Sequence, residues 1–237
     1  MKPLAIDLFC GLGGFSRGLM AEGYDCIGFD IDQHIYGEDR YPAQLVIQDV
    51  LTLHGSQFRD AALIVASPPC QAYSYRAMPW KRAKALPPPS NELFDACFRI
   101  QREACEAAGR HIPMVVENVR GAQKWVGRSR WNYGSFHLWG DVPALMPICT
   151  GANPVNGINR PGMDWKPKDH PKHRPGQAFN SPPSEGRKGD GGSWFHENRG
   201  GQRATSSKGI KRRMYQARIA MIPEPLARWI GRVYLPK

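Results

Sequence analysis

The sequence predicts a doubly wound, mostly parallel α/β sheet, and three observations carry that prediction. Short apolar runs alternate with stretches of helical period. A glycine-rich turn joins the first run to the first helix. Phe9, Asp30, Asp49, Cys70 and Glu117 all fall at the C-terminal ends of such runs, which is where ligands bind in sheets of this kind.

Leu4 to Phe9 reads as the first buried strand. Gly11-Leu12-Gly13-Gly14 then turns the chain into a helix from about Ser16 to Glu22, and Gly23 ends it by taking a left-handed conformation. Cys26 to Asp30 is the second strand, Gln44 to Asp49 the third and Leu63 to Ala66 the fourth. Between residues 91 and 109, Leu93, Phe94, Cys97, Ile100, Ala104 and Ala107 recur at helical spacing, with Ser90 as the cap. Pro113 to Glu117 is the fifth strand, and Phe136 to Trp139 is one more. From Gly151 to Lys208 glycine and proline are frequent and no period persists, which marks a long irregular segment. A basic helix from about Lys208 to Met221 and a closing helix from Pro225 to Val233 complete the chain. The expected division is a main domain at 1–140, a small irregular region at 141–207, and C-terminal helices at 208–237 that return to the main domain.

A chain of 237 residues is long enough to bury a full core. No apolar stretch is long enough to span a bilayer, and Met1-Lys2-Pro3-Leu4 runs straight into a strand without a secretory signal. A cytoplasmic protein without a membrane partner is expected. The six cysteines form no CxxC pair, so reduced thiols fit better than a disulfide framework, and no metal site is expected. Charge is distributed unevenly. Residues 1–150 hold 15 Lys+Arg and 15 Asp+Glu, whereas residues 151–237 hold 17 against 6, which is the whole net charge of +11. A basic segment on a neutral body suits a polyanion partner, or else is a solvated tail.

The turn after the first strand has the glycines that let backbone approach a nucleotide. No Lys-Ser/Thr follows, which argues against an ATP-type phosphate loop. Asp30 is placed to accept from two ribose hydroxyls, and Asp49 from an adenine amine. Alone, each aspartate reads better as a helix cap or a solvated loop carboxylate. With the turn, they favour an adenosine-containing ligand. Cys70 lies in Ser67-Pro68-Pro69-Cys70-Gln71, a stiff turn where packing does not call for a thiol, unlike Cys97 and Cys105 on the helix. Glu117 closes an apolar strand 47 residues later. A carboxyl desolvated there has a raised pKa and is suited to donate a proton.

The strings Asp7-Leu8-Phe9-Cys10-Gly11-Leu12-Gly13-Gly14-Phe15-Ser16, Ser67-Pro68-Pro69-Cys70-Gln71 and Glu117-Asn118-Val119, in this order, resemble the DNA (cytosine-5)-methyltransferases. The resemblance covers about residues 4–120, and a compact member of this outline is similar to those of phages and prophages. It implies a Rossmann-like domain of the S-adenosylmethionine-dependent type, with Phe9, Gly11, Leu12, Gly13, Asp30, Ile31, Asp49, Val50 and Pro69 at the cofactor. It also implies double-stranded DNA with a flipped cytosine as substrate. Cys70 would add to C6, Glu117 would contact N3 and the exocyclic amine, and Asn118 would hold the Cys70 loop. Gln71 would help position the nucleic acid or the loop.

The sequence departs from the family pattern in two places. The Gln-x-Arg-x-Arg element has only Arg128-Ser129-Arg130 as a candidate, which is either a base-holding pair or two surface arginines. The C-terminal Gly-Asn element is missing. Residues 141–207, with Trp165, Phe179, Trp194 and Phe195, would have to serve target recognition. Lys208, Lys211, Arg212 and Arg213 form either a phosphate-contacting or a solvated helix face. The expected activity is cytosine-5 methylation of duplex DNA by a monomer, with a weak dimer as the alternative. The rival readings are an RNA cytosine-5 methyltransferase and a catalytically impaired DNA-binding relic or partner subunit.

Overall fold

The computed structural model describes residues 2–73, 87–146, 213–214, 217–218 and 220–236. The chain forms two units by contact: Met1–Thr150 with Ala220–Lys237, and Gly151–Ile219. Residues 141–146 pack with the first unit: Met146 is buried in its core and Asp141 accepts the Met114 N–H at 2.9 Å.

The first unit is a seven-stranded sheet. Its elements are β1 (Leu4–Leu8), α1 (Gly14–Ala21), β2 (Asp25–Asp30), β3 (Gln44–Ile47), β4 (Leu63–Ala66) and α2 (Glu92–Ala108). They continue with β5 (Met114–Val119), the single turn α3 (Gln123–Val126), β6 (Trp131–Tyr133), β7 (Phe136–Gly140) and α4 (Glu224–Tyr234). The order across the sheet is β3-β2-β1-β4-β5-β7-β6. β3 through β5 are parallel, and β7 runs antiparallel between β5 and β6. This is the doubly wound, Rossmann-like arrangement expected from the alternation of strands and helices. The order reverses between β1 and β4, which places a crevice at their carboxyl ends.

Both faces of the central strands are covered, which is why β4 reads Leu-Ile-Val-Ala without alternation. Leu63 and Val65 pack with Phe15 and Leu19 of α1 and with Leu226 and Ile230 of α4. Ile64 and Ala66 face the other way, against Phe94, Ile100 and Ala104 of α2. α1 and α4 lie close because Gly18 leaves room for Ala227: a Cβ at residue 18 would stand 2.4 Å from the Ala227 Cβ. Tyr24 Oη donates to the Gly231 carbonyl at 3.0 Å, and Arg228 and Arg232 both pair with Glu22.

Several boundaries differ from the sequence expectation. α1 begins two residues early, at Gly14, on a left-handed Gly13. β3 stops at Ile47, because the Asp49 side chain accepts the Leu51 N–H at 2.9 Å and starts a 3-10 turn. At α2, Asn91 is the capping position while Ser90 Oγ accepts the Glu92 N–H at 3.2 Å. β5 runs two residues past Glu117, since β7 pairs Glu117 with Leu138 and Asn118 with His137. β6 is an additional short strand. Of the basic helix, Arg213, Met214, Ala217, Arg218 and Ala220 are helical. No helix among the described residues is long and apolar enough to cross a membrane.

Candidate functional site

The loops after β1, β2, β3, β4 and β5 meet the carboxyl edge of the sheet, and the candidate residues lie on them. After β1, Phe9 (φ +57°), Gly11 (φ +50°) and Gly13 (φ +76°) adopt left-handed backbone in close succession. The turn backs onto protein on one side only. A Cβ at Gly13 would meet Pro42 Cδ at 2.4 Å, whereas one at Gly11 would meet nothing within 4 Å. Gly11 therefore faces open space, and Leu12 is buried beneath it.

Beneath the turn, Ser16 Oγ donates to Asp7 Oδ2 at 2.6 Å and lies 2.6 Å from Tyr41 Oη. Burial pushes the Asp7 carboxyl up to about 7, the Ser16 hydrogen bond offsetting part of the rise, and its Oδ1 has no partner. The Cys10 and Cys26 thiols are buried and pushed up too, first by burial and then by Asp7. Neither is a candidate nucleophile.

At the end of β2, Asp30 Oδ2 accepts the Gly11 N–H at 2.9 Å, and Oδ1 accepts from Asp32 N at 3.3 Å and stands 3.2 Å from His34 Nε2. Burial works against ionisation of Asp30, but these partners, His34 foremost, hold the carboxyl below its ordinary range. Ile31 beside it is 72% exposed, an apolar surface at the site's edge. Asp49 is exposed, with Val50 buried behind it. The open cradle at Gly11, a carboxylate at the end of β2 and an exposed apolar side chain next to it form a donor set that fits an adenosine.

The reactive pair comes from β4 and β5. Ala66 pairs with Val116, so Ser67 comes level with Glu117. Burial raises the Glu117 carboxyl from 4.5 to about 8, and the nearby Ser67 hydroxyl offsets part of the rise. Ser67 Oγ is itself buried without a hydrogen-bond partner, so burial governs the Glu117 carboxyl. Asn118 is buried, and its Nδ2 donates to the Pro68 carbonyl at 2.9 Å, tying the Cys70 turn to β5. Cys70 is partly exposed, its carbonyl accepts the Tyr73 N–H, and Pro69 and Gln71 on either side are exposed. A cavity of ≈ 290 Å³ opens beside this turn, lined by Pro68, Pro69, Gln71, Tyr73, Leu93 and Phe94 among others.

Arg128 and Arg130 are both exposed, and the Arg130 N–H donates to the Leu138 carbonyl at the start of β6. Arg213 is exposed on helical backbone. Lys208, Lys211 and Arg212, with most of 141–207, lie outside the described residues. Sequence reasoning passed over His34, Tyr41, Ser67 and Leu93. Ser67 carried a signal as the first residue of the Ser-Pro-Pro-Cys-Gln string, and Leu93 only that of a helix's apolar face. Among the described residues no group of three or more His, Cys, Asp or Glu is placed to hold a metal.

A Rossmann-like sheet thus carries a glycine turn after β1, a thiol after β4 and a buried acid on β5. Residues 4–125 match the model of the C-5 cytosine-specific DNA methylases, and the chain belongs to that family. It is 32% identical over 78 residues to the type II methyltransferase M.DdeI of Desulfomicrobium norvegicum, a match covering 29% of this chain and 19% of that one. Among solved structures it is similar to a prophage-encoded E. coli protein assigned as a DNA modification methyltransferase (25% identity, TM-score 0.37, 53% of this chain and 34% of that). It is also similar to the S. pombe Dnmt2 methyltransferase (19% identity, TM-score 0.36, 52% and 36%). In each case the match spans well under two thirds of the relative's length.

Proposed function

We propose that this chain transfers a methyl group to C5 of cytosine in double-stranded DNA, using S-adenosylmethionine and a covalent bond from Cys70 to C6. The observation that carries the reading is the Asn118–Pro68 hydrogen bond, which fixes the turn bearing a partly exposed thiol to the strand bearing a buried acid. When bound, S-adenosylmethionine supplies the methyl group that C5 accepts. Phe9, Gly11, Leu12 and Gly13 form its cradle, Asp30 and Ile31 meet the ribose and base, and Asp49, Val50 and Pro69 complete the contact.

Cytosine C5 is a poor nucleophile until something adds at C6. Cys70 thiolate forms the S–C6 bond, and Glu117, kept protonated at neutral pH by burial, gives its proton to N3 so that no charge is stranded on the ring. After methylation a base removes the C5 proton, the S–C6 bond breaks, N3 returns its proton to Glu117, and the thiolate is restored. The target base must leave the duplex to reach this site. The basic segment at 151–237 supplies phosphate contacts, Lys208, Lys211, Arg212 and Arg213 among them, and residues 141–207 read the target. Gln71, Arg128 and Arg130 would meet the nucleic acid nearer the base. Such an enzyme works as a cytoplasmic monomer.

The test is methyl transfer from labelled S-adenosylmethionine to duplex DNA and to tRNA, with Cys70→Ala alongside. Labelling of the duplex that vanishes in Cys70→Ala supports the proposal. Labelling of tRNA alone moves the substrate to RNA. Activity that survives Cys70→Ala sinks the covalent mechanism, and no labelling of either substrate sinks the enzyme reading.

A further inference from the structure

We propose that His34 occupies the ribose site, so that cofactor binds by displacing its imidazole from Asp30. The inference rests on the cofactor reading above. A ribose offers two vicinal hydroxyl donors, and a carboxylate presents about four acceptor positions, two on each oxygen. Asp30 Oδ2 has accepted one hydrogen bond, from Gly11 N, and keeps a position free. Asp30 Oδ1 is filled, by Asp32 N at 3.3 Å and His34 Nε2 at 3.2 Å. A diol that spans both oxygens must therefore expel one donor from Oδ1. The Asp32 N–H is two residues along the same backbone, whereas His34 is a side chain on the β2–β3 loop.

Backbone geometry also favours release. His34 has φ +48°, a conformation that L side chains with a Cβ seldom hold without a compensating contact, and the Asp30 pairing is that contact. The other groups facing His34 are Asp32 and the Tyr36 hydroxyl, 3.5 Å from Nδ1. Asp30 itself is faced by Asp7 from β1 and by Cys10 from the glycine turn.

Displacement has a pH signature. The Asp30 hydrogen bond raises the His34 pKa in the free protein, with burial working against it, and loss of the pairing lets that pKa fall back. The competing ion pair is complete below the ordinary histidine value and is lost as pH rises through the raised one. Cofactor affinity should therefore be highest above that raised value and fall as pH drops through the window between the two. A partly exposed pair implies a loss of roughly two- to fivefold.

The experiment is calorimetric titration of the full chain with S-adenosylhomocysteine from pH 5.5 to 8.5, in buffers of different ionisation heat, for wild type and His34→Asn. Asparagine accepts left-handed backbone and does not titrate. The expected result is proton release and a pH-dependent Kd in the wild type, with the His34 component absent from His34→Asn. Binding with an identical pH profile and proton count in both proteins overturns displacement while leaving the cofactor reading intact. Affinity lowered at every pH by His34→Asn overturns it too, because His34 would then be a direct ligand contact. No binding by wild type at any pH overturns the cofactor reading itself, and displacement with it.

Discussion

Replacing Glu117 by glutamine should stabilise the protein, and by more as pH rises. Burial takes the carboxyl from 4.5 to about 8, so between those values the folded chain holds a proton that the unfolded chain has released. Stability then falls with pH by about 1.4 kcal/mol per unit from this one group. Glutamine keeps the shape and a hydrogen-bonding head but cannot ionise, so it escapes that slope. Glu117→Gln and wild type should be similar near pH 4.5 and diverge to at most about 5 kcal/mol above pH 8. Asp7, raised to about 7 by burial, adds a slope of the same sign to both proteins and drops out of the difference. Urea unfolding at pH 5, 6.5 and 8.5 measures the gap directly. A gap that stays constant with pH would show that Glu117 is not protonated in the folded state, and would remove it as the proton donor. On the proposed mechanism the same variant should lose methyl transfer by about 100-fold or more.

Three further substitutions test neighbouring parts of the structure. Asn118→Ala leaves the Pro68 carbonyl without its partner and should cost about 1–3 kcal/mol, lowering Tm in a thermal melt while kcat falls and the KM for duplex holds. Gly11→Ala meets no atom within 4 Å, so it should cost only about 1–2 kcal/mol of left-handed strain while weakening S-adenosylhomocysteine binding measured by calorimetry. Gly18→Ala would put its Cβ 2.4 Å from that of Ala227 and should destabilise by about 1–3 kcal/mol, with partial recovery of Tm in the Gly18→Ala/Ala227→Gly double variant.

How much of this was legible in the sequence depended on how local the signal was. β4 matches the sequence expectation to the residue, because its large apolar residues start at Leu63 and the run is cut off by Ser67-Pro68-Pro69. β5 was cut short at Glu117, since a carboxylate normally ends a strand. Its continuation is imposed by β7, an antiparallel partner that no local pattern announces. β6 escaped for a related reason: three residues, Trp131–Tyr133, are too few to show a period, and pairing with β7 makes them a strand. Cys70 and Glu117 stood out because each sits where packing would not choose it. His34 could not, because a lone histidine in a polar loop looks like any other until the loop folds back on Asp30. Asp49 shows the reverse case: a cap was one of the roles its sequence position offered, and the turn that starts where β3 stops at Ile47 gives it that role.

The seating of α4 on α1 bears on how the chain is made. Phe15 and Leu19 share one core with Ile222, Leu226 and Ile230, which leave the ribosome long after them. Tyr24 finds its acceptor 207 positions later, at Gly231. A nascent α1 therefore has a greasy face and no cover until α4 has been made. Pairing across such sequence separation is slow and leaves partly made chains open to aggregation. A ribosome stalled before residue 222 should hold a protease-sensitive α1, and completion of α4 should be the event that locks it.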